Sequence, residues 1–430
     1  MITTGPDGHA SYDRDGDRNS DRVPAEFPAL RSFLHHHLVE EVMPFWTTHA
    51  LDQERGGLYS FLAPDGTVLD QNKSIVSNTR ALYTFSALVR HIEDRPKWRR
   101  AADSIYRFLL DNGRGEQGFW VYLVDRDGRT LIGENSLVVE AFAIGGLVEY
   151  FRISGEDDAV AVAQMSYRNA LARLARPGTY KTAPYPVPPG MRPHREAMQF
   201  SLAFCELGDA TGDREILEAG RRLGRDVLDC FYDPERQVLH EYIGLDNKPH
   251  RETPAGRCVV PGHAIETLWF QMYNFGRIDP DDPERARRAA RMLRPALEMG
   301  WDSEYGGILL GMDIEGKQPE FWKFGTMKRW WPVTEALPAC LMAWETLRES
   351  WCLDWYRRIH EWAFARFPDS VHGDWHQNLT REGKPIREAA DLAGLEPAAR
   401  EWIELDLKVK DPFHLPRGLI MAINTLDRLT

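Results

Sequence analysis

A closed ring of paired α-helices, with short β-hairpins gathered at one mouth, is the fold class this sequence predicts. Three observations predict it. Apolar residues recur at helical spacing through most of the chain. A glycine-led strand and turn returns at intervals of roughly sixty to seventy residues, which leaves about six units. A unit of two helices and a hairpin cannot bury its apolar face alone, and a linear stack would need polar caps at both ends. Closing the ring removes the ends. With 430 residues, 43% hydrophobic and 27% charged, the chain is long enough to bury such a core.

Residues 1–23 are rich in Asp, Arg, Gly, Ser and Asn and nearly free of large apolar side chains, so they are expected to form a flexible polar tail. The remainder, 24–430, is expected to be one domain, because no linker interrupts the repeat. A helix is predicted through Leu30 to Trp46, with Phe33, Leu34, Leu38, Val42 and Phe45 on one face. Similar stripes follow: Leu82, Phe85, Leu88 and Val89; Ile105, Phe108 and Leu109; Val138, Phe142, Leu147, Val148 and Phe151. Between the helices, strand-and-turn signals begin at Gly56-Gly57, Gly118, Gly306-Gly307 and Gly373-Asp374. A weaker copy begins at Gln237, and a missing member falls around Tyr180 to Val187. Proline-rich Pro184 to Gly190 reads as a long loop at the cavity mouth.

The net charge of −12 argues against general affinity for nucleic acid or an anionic membrane surface. Five cysteines without CxxC spacing are expected to be reduced and mostly buried. No apolar run is long enough to span a bilayer, and the start lacks a signal-peptide pattern, so the expected location is the cytoplasm. No metal-binding motif and no phosphate-cradling glycine loop is present, and no cofactor is expected. His35, His36 and His37 point in different directions on a helix and cannot chelate together; a surface helix is expected there.

Two histidines stand out by their settings: His263 in Pro261-Gly262-His263-Ala264-Ile265-Glu266, and His414 in Pro412-Phe413-His414-Leu415-Pro416-Arg417. Imidazole accepts a proton near neutrality and imidazolium returns one, so two of them across a cavity can invert a carbon acid. Glu266 shares a helix face with His263 at i,i+3 spacing. Lys328 and Glu335, two turns apart, can face the same side as Trp331. Aromatic faces stack on pyranose rings while charged groups bind hydroxyls. Asn78, Arg80 and Tyr83 form a comparable polar set on an early helix. His194 and His376 are expected in cavity loops.

These motifs occur in a recognisable order. Asn78-Thr79-Arg80 with Tyr83, Pro261 to Glu266, Met327-Lys328-Arg329-Trp330-Trp331-Pro332 with Glu335, Gly373-Asp374-Trp375, and Phe413 to Arg417 resemble the motif series of the N-acylglucosamine 2-epimerase superfamily. The resemblance implies an (α/α)6 barrel acting on unphosphorylated sugars at C2 without a cofactor. It implies His263 and His414 as the acid/base pair, with Arg80 and Glu266 at the reacting end of the sugar. Asn78, Tyr83, Gln199, Lys328, Trp331, Glu335, Trp375 and Arg417 would then bind substrate or shape the pocket. Cellobiose 2-epimerases carry a histidine where Gln199 stands here, which moves the chain toward the N-acylglucosamine branch. An aldose–ketose isomerase of the mannose/fructose type is the alternative with the same histidines; a catalytically inert sugar-binding protein is the alternative of another class. A glycosidase would need a carboxylate pair suited to glycosidic cleavage, for which Glu266 and Glu335 qualify only by chemistry. The partner expected is a small-molecule sugar, and a homodimer is compatible with the sequence.

Overall fold

The computed structural model describes residues 24–278, 280–319, 324–386 and 408–430. The polar stretch 1–23 lies outside the described residues. Twelve long helices are found among them. The first, α1, covers 27–50 as four consecutive stretches, Phe27–His36, His37–Val42, Met43–Phe45 and Trp46–Ala50. The others are α2 (Ile75–His91), α3 (Pro96–Asn112), α4 (Val138–Ser154), α5 (Asp157–Leu174), α6 (His194–Thr211), α7 (Arg214–Cys230), α8 (Pro261–Tyr273), α9 (Pro283–Gly300), α10 (Trp330–Leu347), α11 (Ser350–Phe364) and α12 (His414–Leu429).

The even-numbered helices pack against one another in order, and α12 packs back on α2. The odd-numbered helices pack outside them, α1 against α12 and each of the rest against the helix that precedes it. This is the expected (α/α)6 barrel. Composition separates the two rings. In α10 every residue from Trp330 to Trp344 is buried, whereas α7 buries only a stripe through Ile216, Leu217, Ala219, Gly220, Gly224, Val227 and Leu228 and turns its arginines outward.

The hairpins clasp the units together. Each short strand that enters an inner helix pairs with the hairpin of the next unit: Lys73 opposite Val124, Met191 opposite Gly244, Cys258 opposite Asp313, Lys328 opposite Leu379. Val409, before α12, bridges to Phe61 in the first hairpin and closes the ring. At the sixth position Ser136, before α4, meets Thr182 in a single isolated bridge. The missing repeat member is therefore a loop rather than a strand. Pro184, Pro186, Pro188 and Pro189 have no N–H to donate to a ladder, so the segment crosses the mouth instead.

The turns share one construction that the glycines only partly announced. Asp52, Asp233, Asp302 and Asp369 each accept the two backbone N–H groups two and three residues ahead. Two consecutive left-handed residues then reverse the chain: Gly56-Gly57, Gly306-Gly307 and Gly373-Asp374. Glycine takes this conformation freely, and aspartate is among the few other residues that tolerate it. Asp374 there also accepts Lys410 Nζ at 2.8 Å.

Lys328 belongs to this construction and not to the cavity wall. Its Nζ lies 2.9 Å from Asp302, which Arg381 also grips, just as Lys73 lies 3.0 Å from Asp52, gripped by Arg126. Two further expectations differ from what is observed. Phe33, placed on the buried stripe of α1, is 44% exposed. His37, expected at the surface, is buried; it is bonded to Glu41 and accepts Trp375 Nε1–H at 2.8 Å. Four cysteines are buried and Cys230 is half-buried, and all five are free thiols.

Burial pushes the Asp302 carboxyl up, but the Arg381 and Lys328 bonds outweigh it and hold the group well below the usual carboxylate range. Lys328→Met is expected to cost about 1.5–3 kcal/mol of unfolding free energy at neutral pH, with Lys73→Met costing a similar amount. The depressed carboxyl contributes stability above the ordinary carboxylate pKa of about 3.9 and loses it as the pH falls below. Wild type should therefore lose more stability than Lys328→Met on acidification. Denaturant titrations at both pH values check this, and a variant of unchanged stability refutes it.

Candidate active site

The first turns of the six inner helices converge on one cavity of about 330 Å³. Ser77 and Arg80 come from α2, Val138 and Phe142 from α4, Arg195, Glu196, Met198 and Gln199 from α6, His263 and Glu266 from α8, Trp330 and Trp331 from α10, and His414 from α12. Helix N-termini carry unsatisfied N–H groups and partial positive charge, so this arrangement favours a ligand that develops negative charge. The loop through Thr182, Ala183, Pro184 and Tyr185 forms part of the wall, as its composition suggested.

His263 and His414, remote in sequence, both stand against Trp331, whose ring centre lies 5.1 Å from the first imidazole and 5.7 Å from the second. Gly262 allows the first approach: a Cβ there would stand 2.4 Å from the Trp331 ring. Each imidazole is held by a buried carboxylate through Nδ1, His263 by Glu241 at 2.9 Å and His414 by Glu335 at 2.7 Å. Burial pushes both carboxyls up. For Glu241 the His263 and His194 imidazoles and the Arg195 guanidinium, and for Glu335 the Arg417 guanidinium and His414, outweigh burial and keep each below the ordinary value. An ionised carboxylate accepts the Nδ1–H, which leaves Nε2 as the basic nitrogen of the neutral ring and stabilises the imidazolium once a proton arrives.

Beneath the floor, Arg417 Nη2 lies 2.5 Å from Glu266 and 2.7 Å from Glu335. Trp269 Nε1 donates to the other Glu335 oxygen at 2.8 Å. Arg417 and Glu335 therefore do not line the cavity; they anchor Glu266 and His414, which do. Arg80 stands in the wall with Nη1 donating to Asp411 at 3.0 Å and its guanidinium 4.1 Å above the Phe142 ring. Asp411 also accepts the His414 backbone N–H at 2.8 Å, so one carboxylate aligns both the arginine and the start of α12. Burial pushes that carboxyl up, and Arg80 and His414 together hold it below its ordinary value.

Of the remaining sequence candidates, Gln199 lines the cavity, with its amide 3.5 Å from Glu266. Asn78 does not: it is wholly buried, and its side chain ties the Leu58 backbone and the Ser74 carbonyl to α2. Tyr83 lies outside the lining, edge-on to Phe413 at 5.2 Å. Trp375 is buried against Phe367 and His37. His194 is buried rather than in a cavity loop, and His376 lines a separate small cleft. Sequence reasoning missed Glu241 and Asp411. The Asp411 spacing, three residues before His414 at a helix start, was a readable capping signal. Glu241 gave none, since it reaches His263 across 22 residues.

Two sets of three groups bring potential ligand atoms within 4.8 Å of one another: His194, Glu241 and His263, and Glu266, Glu335 and His414. In the second set the Arg417 guanidinium already supplies the positive charge that a cation would bring. Among the described residues no helix is long and apolar enough to cross a membrane.

Paired imidazoles with an arginine beside them are suited to moving a proton next to a sugar carbonyl, the work of sugar epimerases and isomerases. Known proteins place the chain among these enzymes. A family model described as N-acylglucosamine 2-epimerase (GlcNAc 2-epimerase) matches residues 56–393, and the chain belongs to that family. It is similar to the N-acylglucosamine 2-epimerase of Rattus norvegicus, 29% identical over 421 residues, covering 91% of this chain and 90% of the relative. It is also similar to the D-mannose isomerase of Marinomonas mediterranea, 23% identical over 383 residues, covering 82% and 91%. In fold it matches the structure of a cellobiose 2-epimerase from Spirochaeta thermophila with a TM-score of 0.76 at 23% identity, covering 94% of this chain and 98% of that one.

Arg417→Met leaves Glu266 and Glu335 buried without their cation, and is expected to cost about 3–5 kcal/mol of stability. Arg417→Lys, which lacks the planar fork, should recover part of that loss. Thermal and chemical denaturation check the order, and an Arg417→Met protein as stable as wild type refutes it.

Proposed function

We propose that this chain is a cofactor-independent sugar 2-epimerase that moves a proton at C2 of an unphosphorylated N-acylhexosamine through His263 and His414. The observation that carries the reading is the pair of carboxylate-held imidazoles that line one cavity beside Trp331. In the ring-opened sugar the aldehyde acidifies the C2 hydrogen. One histidine takes that proton through Nε2, and the electron pair moves onto the carbonyl oxygen as an enediolate or its N-acyl equivalent. Arg80, fixed by Asp411, is placed to stabilise the oxyanion, with the inner-helix N-termini adding to the effect. The second imidazolium then delivers a proton to the opposite face of C2, so the sugar is inverted and the proton count is unchanged.

The relatives named N-acylglucosamine 2-epimerase support the N-acyl substrate. So does the wall, where apolar Val138, Phe142 and Met198 stand with the Gln199 amide, the two kinds of contact an acyl group requires. Two of the four basic side chains in the wall, Arg80 and Lys410, are each already paired with an aspartate, which supports an unphosphorylated sugar. Residues 24–430 would act as one catalytic unit in the cytoplasm. The relative named D-mannose isomerase favours a second reading, in which the proton returns to C1 and a ketose forms.

Incubation of unmodified aldoses and N-acylhexosamines in D2O, followed by NMR, separates the two. A C2-deuterated epimer is expected; a ketose would select the second reading; no conversion of any free sugar would sink both. His263→Ala and His414→Ala should each lower kcat by about 10²–10⁴-fold with the circular dichroism unchanged. Full activity in either would refute the two-histidine scheme. Exhaustive dialysis against EDTA should leave the rate intact, and a loss restored by a divalent ion would overturn cofactor independence.

A further inference from the structure

The two histidine–carboxylate pairs are built differently. Both Glu335 oxygens are committed, one to His414 and Arg417 and the other to Trp269. Glu241, which does not line the cavity, is wholly buried, and its backbone is pinned by bonds to Cys258 and His194. Its Oε2 accepts His263 Nδ1–H at 2.9 Å, but its Oε1 has no hydrogen-bond partner. Facing Oε1 at 3.8 Å is Arg195 Nη1, itself buried without a hydrogen-bond partner. Elsewhere the same guanidinium donates to the Tyr185 carbonyl of the mouth loop and interacts with the Tyr242 hydroxyl, which together hold it back. Closing the gap to a hydrogen bond requires a shift of about 1 Å.

The surroundings leave Arg195 as the effective counter-charge. The titratable groups around Glu241 are His194, Arg195 and Glu196 from α6, His263 from α8, and Tyr242 and Cys258 from the adjoining strands. His194 is bonded through Nδ1 to the His240 carbonyl at 2.9 Å, and burial pushes its pKa down, so it is neutral. Burial pushes the Tyr242 phenol and the Cys258 thiol up, which keeps both neutral as well. Only Arg195 carries a fixed positive charge.

We infer that Glu241 is the positioning residue for proton transfer at His263, and that Arg195, restrained by the Tyr185 carbonyl, sets how much of the Glu241 charge acts on that histidine. The inference rests on the two-histidine reading above. Glu335 is locked by three donors, so the His414 pair is fixed; the His263 pair is the adjustable one, coupled through Arg195 to the loop over the sugar.

The test uses the sugar that wild type converts and the 2-deuterio forms of both epimers. Glu241→Gln keeps the shape and removes the charge, and kcat should fall about 10–100-fold with little change in KM. Because only the His263 step is slowed, the primary isotope effect should rise for the epimer deprotonated by His263 and fall for the one deprotonated by His414. Isotope effects that stay at wild-type values in both directions overturn the assignment, since a merely structural defect moves neither. For Arg195, the alkaline shift in the pH profile of kcat/KM expected of Arg195→Gln should be reversed in Arg195→Lys; an unmoved profile overturns its part. If wild type exchanges no C2 hydrogen with D2O, the two-histidine reading fails. If wild type exchanges and the variants behave as wild type, only the present inference fails.

Discussion

The ring depends on one recurring contact, the pairing of the segment that enters an inner helix with the hairpin of the next unit or, before α4, with the loop that replaces it. Each such pair fixes where an inner helix begins, and therefore where its first turn points. Phe61 against Val409 completes the series by joining the first hairpin to the strand before α12. Because every inner helix starts at the same mouth, its unsatisfied N–H groups, its capping residues and its first-turn side chains all face one cavity. The geometry of the cavity is a consequence of that registration. His414 opens α12 and His263 stands in the first turn of α8, so neither needs a long side chain or a mobile loop to reach the cavity.

A second layer of interactions converts position into chemistry. Arg417, Glu335, Trp269 and Glu266 form a buried polar network below the floor, and Glu241 forms another behind the wall. Burying these groups is costly unless each is paired, and pairing is what fixes the imidazole tautomers. Stability and reactivity share the same contacts here. A change that frees one carboxylate affects the core and the imidazole it holds together. Lys328, Asp302 and Arg381 lie outside this coupling, since they serve the turn alone.

Much of the fold was legible because it rests on local signals: helical periodicity, paired left-handed glycines and the absence of a linker. The (α/α)6 barrel follows from counting them. The site was legible where motifs sit on inner-helix starts, as with His263, Glu266, Trp331, His414 and Arg80, all of which the structure brings to one cavity or its wall. Reading went astray where a polar residue on an inner helix, or at its entry, faces a turn instead of the cavity. Asn78 caps a neighbouring backbone, and Lys328 repeats what Lys73 does four units earlier. Type and spacing alone do not distinguish these from substrate ligands.

The sequence by itself determined the repeat, the closed ring of paired helices and several of the inner-helix segments, because turn chemistry and hydrophobic period act over a few residues. It also placed two histidines in settings suited to proton transfer. Only the tertiary structure decided which carboxylate serves which histidine, that Arg417 lies beneath the floor while Arg80 lies in the wall, and that the missing hairpin became a loop across the mouth. Those assignments depend on contacts between residues tens to hundreds of positions apart, such as Arg80 with Asp411 and Glu241 with His263. Ring closure creates them, and no local pattern records them.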